Sequence, residues 1–209
     1  MKDSNSGDPP ARLTDEELVS EIRGAPEGDL RAFEVLLGRY QQRVVANCRY
    51  LTRSADDAED LAQEVFLKTF YGLQRFEARA SFRTWLYRIK ANHSMNFIRK
   101  RGDRVFVGVD ELQPDSDGPL AVTSRAQAKV ESAEARVAIE QVLDEMNDTL
   151  RLPLVMRDMD QMSYQEIAET LGIGLSAVKM RIKRAREEFR SSYQAFEHNG
   201  PPAEKVGEA

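Results

Sequence analysis

Apolar residues return every three or four positions over most of this chain. Leu18 and Ile22 mark a short helix, opened by Thr14 with Glu17 three residues on, the pairing of a capping box. Gly24, Pro26 and Gly28 then break the chain. Asp29 is placed to cap a second helix, whose Phe33, Leu36, Leu37, Tyr40, Val44 and Val45 recur at helical spacing. A third helix is predicted from Ala55 to Leu73, with Leu61, Val65 and Phe66 on one side. Ser81 opens a fourth, carrying Phe82, Trp85, Leu86, Ile89 and Phe97. At this spacing Trp85 reads as core rather than as a stacking platform. One brief alternation, Val105 to Val109, is too short and isolated to build a sheet.

Between residues 110 and 125 the pattern disappears. Asp110, Glu111, Pro114, Asp115, Ser116, Asp117, Gly118 and Pro119 read as an acidic, breaker-rich linker. Helical periodicity returns near Val130 and continues to Phe196; Gly200, Pro201 and Pro202 follow, without apolar pattern. The expected fold class is all-α: two small helical domains on a flexible acidic linker. The expected boundaries are a disordered N-terminus over 1–12, a first domain over 13–104, the linker over 105–129, a second domain over 130–196 and a disordered tail over 197–209.

The sharpest local pattern runs from Ser163 to Arg186. Ser163 and Glu166 form a second capping box. Ala168 is small where two helices would cross closely, and Gly172, four residues later, suits the left-handed residue that ends a helix. Val178, Ile182, Ala185 and Phe189 then give a second helix its apolar edge. Its other faces carry Lys179, Arg181, Lys183, Arg184 and Arg186. An apolar stripe to hold the helix and cations for phosphates and base edges are what a helix-turn-helix recognition helix requires.

Charge adds to this picture by its placement. The net charge is −5, which argues against indiscriminate coating of nucleic acid. Yet Arg79, Arg83, Arg88, Lys90, Arg99, Lys100, Arg101 and Arg104 face only Asp103 in their segment, and a second basic run spans 179–190. Asp56, Asp57, Glu59, Asp60 and Glu64 make the opposite, an acidic run. Two polyanion contacts and one contact with a basic protein would account for this distribution. The single cysteine, Cys48, excludes an intrachain disulfide, and its neighbours Val44, Val45 and Leu51 predict a buried thiol. The N-terminus lacks the apolar core of a signal peptide and no run approaches a membrane span, so a cytoplasmic location is expected. With His93 and His198 as the only histidines, no metal site is expected; His93 reads as a surface or DNA-facing side chain.

Three segments together resemble a known family. Asp57 to Phe70 resembles the region 2 helix by which sigma factors grip the coiled coil of the polymerase β′ subunit. Phe76 through Ser81 to Asn96 looks like the segment that reads and opens the −10 element, and Leu152-Pro153 through Arg186 is similar to region 4, which reads the −35 element. The resemblance covers residues 14–196 with the motifs in family order. A linker in place of a region 3 domain points to the extracytoplasmic-function (ECF) type, group IV of the bacterial primary-sigma superfamily.

The resemblance implies a transcription initiation factor that is not an enzyme and uses no cofactor or small-molecule substrate. Its implied partners are core RNA polymerase (β′ coiled coil and β flap), promoter DNA and an anti-sigma factor, which could hold it at the inner membrane. Implied core-binding residues are Asp60, Leu61, Gln63, Glu64 and Phe66. Implied −10 residues are Phe76, Arg79, Arg88, Asn92 and Asn96, with Glu77 to Ala80 as the loop that receives a flipped-out base. Implied −35 residues are Ser176, Lys179, Arg181, Lys183, Arg184 and Arg186. The chain reads Ser176-Ala-Val-Lys-Met-Arg181 where the family commonly has Gly-Thr-Val-Lys-Ser-Arg, so Ala177 and Met180 depart from the pattern. Two other readings stay open: a sigma-like decoy that binds an anti-sigma factor without reading promoters, and a DNA-processing enzyme. The first lacks its usual receiver domain here, and the second lacks a phosphate loop or nucleophile-base pattern.

Overall fold

In a computed structural model, residues 12–26, 28–101 and 133–199 are described. The linker, most of the N-terminus, the alternation at 105–109 and residues 200–209 lie outside them. Every regular element among the described residues is helical. The chain divides into two compact units, residues 1–97 and 98–209.

The first unit is built from α1 (Asp15–Gly24), α2 (Arg31–Thr52), α3 (Ala55–Leu73) and all but the last turn of α4 (Phe82–Lys100). The Thr14–Glu17 capping box forms: the Thr14 N–H donates to Glu17 Oε2 at 2.7 Å and the Glu17 N–H to Thr14 Oγ1 at 3.3 Å. Leu18, Val19 and Ile22 of α1 are buried, and Asp15 ties α1 to α2 by accepting from Arg39 at 2.7 Å and from the Tyr40 hydroxyl. Asp29 works one position before the cap. Leu30 occupies the cap position without a side-chain bond, while Asp29 accepts from the Arg31 N–H at 3.2 Å and pairs with its guanidinium. The bonds from Arg31 pull the Asp29 carboxyl down to about 2.

Ser54 and Ser81 both accept from the backbone N–H three residues on, starting α3 and α4. The core joins Leu36, Val44, Cys48 and Leu51 of α2 to Leu61, Val65 and Leu73 of α3 and Phe82, Leu86 and Tyr87 of α4. Aromatic rings knit it together: Tyr40 lies 5.5 Å from Phe82 and 6.3 Å from Tyr87, and Phe76 4.9 Å from Trp85. Gly72 is needed where α3 passes Trp85, because a Cβ there would stand 2.9 Å from the indole.

The second unit contains α5 (Ala133–Glu145), α6 (Asp148–Leu154), α7 (Tyr164–Leu171) and α8 (Leu175–Asn199). Helix α8 thus continues past Phe196, where the sequence pattern ended, because the helix persists as a solvated extension. Asn147 caps α6 by accepting from the Thr149 N–H at 2.9 Å. Pro153 sits inside α6 and supplies no N–H, and the next turn, Val155–Met159, is wound wide as a π-turn. Arg151, fully buried, donates to Asp148 and to the Leu143 carbonyl at 3.3 Å.

Candidate functional site

Helix α7 begins as predicted. The Ser163 N–H donates to Glu166 Oε2 at 2.8 Å and the Glu166 N–H to Ser163 Oγ at 3.2 Å. Gly172 ends the helix in the left-handed region, φ 67°. Ala168 and Ile167 are buried against the start of α8, where Val178, Ile182 and Ala185 are wholly inside. Phe189 is only partly covered and stacks on Tyr193 at 5.8 Å. The helix-turn-helix is therefore fixed by its apolar edge, and the opposite side of α8 is left open.

The cations of α8 divide. Ser176, Lys179 and Arg184 are exposed, and Lys183 is partly so. Arg181, expected at the DNA, is buried. Its place three residues beyond Val178, next to Ile182, turns it toward the core side of the helix. Arg186 is committed elsewhere: its Nε and Nη2 donate to both Asp158 oxygens at 3.0 and 2.5 Å, clamping α8 to the π-turn. Nearby, the Arg157 guanidinium lies 4.6 Å over the Tyr164 ring and donates to the Met162 carbonyl at 2.7 Å. These cations hold the motif's shape.

On α3 the structure redistributes the expected docking residues. Asp60, Gln63 and Glu64 are exposed. Leu61 is 4% exposed and belongs to the core, and Phe66 is partly covered, lining a small apolar crevice with Phe33, Leu36 and Leu86. The apolar side chains in the open are Leu67 and Tyr71, 56% and 72% exposed. Spacing places Asp56, Asp60, Glu64, Leu67 and Tyr71 along one strip, acidic toward the N-terminus of α3 and apolar toward its C-terminus. The sequence held a signal for this: with Leu61 and Val65 as the core side, Leu67 and Tyr71 must face outward.

On α4, Asn92 and Asn96 are both exposed, four residues apart on one face. Arg88 is partly exposed. Phe76 is 5% exposed and packs on Trp85 and Phe82, so its ring is structural; its N–H donates to the Leu73 carbonyl at 3.1 Å and its carbonyl accepts from Arg23 at 3.2 Å. The loop at 77–80 lies at the surface with Ala78 at φ 54°, and Arg79 pairs with Glu77 at 2.6 Å. His93 Nδ1 lies 3.3 Å from Glu64 Oε2, linking α4 to the acidic strip of α3. Among the described residues no cluster of His, Cys, Asp and Glu could hold a metal ion.

A helix-turn-helix with an outward cationic face in one unit, and an exposed acidic-to-apolar strip in the other, are the features of an all-helical DNA-binding protein. Comparison with known proteins gives its family. Residues 36–104 match the model for Sigma-70 region 2 and residues 136–189 that for Sigma-70, region 4. Over 188 residues the chain is 32% identical to the ECF RNA polymerase sigma-E factor of Escherichia coli K12, covering 88% of this chain and 96% of that one. The sigma-E factor of Haemophilus influenzae is 29% identical over the same length, 88% of this chain and 97% of that one. Two solved structures share the fold at 23% identity: CnrH in complex with the cytosolic domain of CnrY, and the sigma factor RpoE in complex with the anti-sigma factor NepR from Bartonella quintana. The first has a TM-score of 0.56 over 87% of this chain and 97% of that one; the second has 0.55 over 78% and 96%. The chain belongs to the ECF sigma factor family. It is a transcription initiation factor that directs RNA polymerase to promoters, and not an enzyme.

Proposed function

We propose that the outward strip of α3 docks on core polymerase while α4 and α8 read the two promoter elements. Asp60, Gln63 and Glu64 supply the polar rim of the docking strip, and Leu67 with Tyr71 supply its apolar centre. Asn92 and Asn96 address bases of the −10 element, with Arg88 and Arg79 on the backbone and the 77–80 loop holding an unstacked base. Ser176, Lys179, Lys183 and Arg184 address the −35 element. The domains are assigned to 13–104 and 130–196, joined by the acidic stretch 105–129. Tethering makes the second promoter contact effectively intramolecular, so weak individual contacts suffice.

Among the described residues no helix is long and apolar enough to cross a membrane. CnrH and RpoE are held in complexes by CnrY and an anti-sigma factor; by that likeness an anti-sigma factor holds this chain inactive. The observation that carries the reading is the pairing of an exposed acidic-to-apolar strip with a separate, outward-facing cationic recognition helix. Its test is the double charge reversal Asp60→Lys with Glu64→Lys. Binding to purified core should weaken, more at low salt than at high, and undiminished binding would overturn the docking assignment.

A further inference from the structure

Helix α8 presents its −35-reading face as a narrow strip, and one side chain in it cannot hydrogen-bond as its neighbours do. Val178, Ile182 and Ala185, all at most 1% exposed, fix the inward direction. At 100° per residue, the outward direction falls on Ser176, Met180, Lys183 and Glu187, with Lys179 and Arg184 at its margins. Met180 lies near the middle of that strip and is partly exposed. It is the single apolar residue among those six; Ala177, no further from the outward direction than Lys179, carries only a methyl and reaches less far. Leu175, exposed at the first helical position, lies five residues back and so about 140° round the axis from Met180.

The N-terminal part of a recognition helix is the part that reaches base edges in the major groove. A thioether is at most a weak acceptor and offers no N–H or O–H, so it cannot read the donor and acceptor code of guanine, adenine or cytosine. It can make close apolar contact with the C5-methyl of thymine, the one apolar feature of the major groove. Its unbranched, polarisable chain suits such a contact between flanking cations that hold phosphates.

We propose that Met180 is a specificity-determining residue that reads a thymine methyl in the −35 element, with Lys179, Lys183 and Arg184 holding the helix in register around it. This rests on α8 reading the −35 element. The test uses holoenzyme reconstituted from core polymerase and the full chain, on a promoter selected from a library randomised across the −35 element. Each thymine of the selected element, on either strand, is replaced singly by deoxyuridine, which removes only the methyl. At one position the replacement should weaken promoter binding about fourfold, the factor for one buried methylene-sized group. Met180→Ala should abolish that difference, and Met180→Leu, which keeps an apolar side chain, should retain it. Equal binding of thymine and deoxyuridine at every position, or an unchanged ratio in Met180→Ala, overturns the inference while leaving −35 reading intact. A selection that yields no −35 preference at all overturns both.

Discussion

Helices α4 and α8 carry similar densities of positive charge, yet they use it in different ways. On α8 one side is apolar and inside, and the other is open, so Lys179 and Arg184 stand free at the surface. Helix α4 is embedded more deeply. Lys90 is wholly buried with its ammonium 5.5 Å over the Tyr87 ring, Ser94 is buried and bonded to the Lys90 carbonyl, and Arg83 lies 5.6 Å over the same ring. Its open face narrows to Asn92, Asn96 and the cations at its C-terminal end. A strip of amides suits reading bases, while an open cationic face suits docking on duplex phosphates. Counting basic residues cannot make this distinction; asking which are already engaged can.

Replacing engaged and free cations in turn separates the two uses of charge. Arg151→Ala should have the largest effect, about 3–5 kcal/mol of lost stability in the second unit, because it strands Asp148 in a buried site. Urea unfolding measures it. Phe76→Ala should destabilise the first unit by a similar about 3–5 kcal/mol; a stable variant with a −10 defect would restore Phe76 to the DNA surface. Arg186→Ala should cost about 1 kcal/mol by releasing Asp158. Arg184→Ala should instead leave stability within about 0.5 kcal/mol but reduce the salt slope of promoter binding by about one. The smallest effect concerns pH. Burial and the bond to Asp15 raise the Tyr40 hydroxyl above the usual tyrosine range. The folded state therefore keeps a proton that the unfolded chain loses above about pH 10. That stability is full below pH 10 and declines as pH rises further. Tyr40→Phe should flatten the decline in denaturant melts taken either side of pH 10.

Most of the fold was legible because the relevant signals are local. The capping boxes at Thr14 and Ser163, the serine cap at Ser81, and Gly172 each act over three or four residues. The inward stripe Val178, Ile182 and Ala185 follows from helical spacing alone. What escaped were partnerships between residues distant in sequence. Arg186 is claimed by Asp158, 28 residues away, and the Phe76 carbonyl by Arg23, 53 residues away. Arg181 and Leu61 illustrate a second cause: each lies in a charged or family-matched run that suggested surface function, while its helical phase assigns it inward. Applying phase before function would have exchanged Leu61 for Leu67 and Tyr71. The π-turn after Pro153 had no sequence signal beyond the proline itself.

Two separate helical surfaces acting together with core polymerase at spaced promoter elements would make initiation depend on this chain and on both elements at once. Run-off transcription with purified core, with and without this chain, on a library of bacterial promoters tests it most directly. Initiation is expected only when the chain is added, from a subset of promoters sharing a −35 and a −10 motif at fixed spacing. Stable binding to core without initiation from any promoter would contradict it.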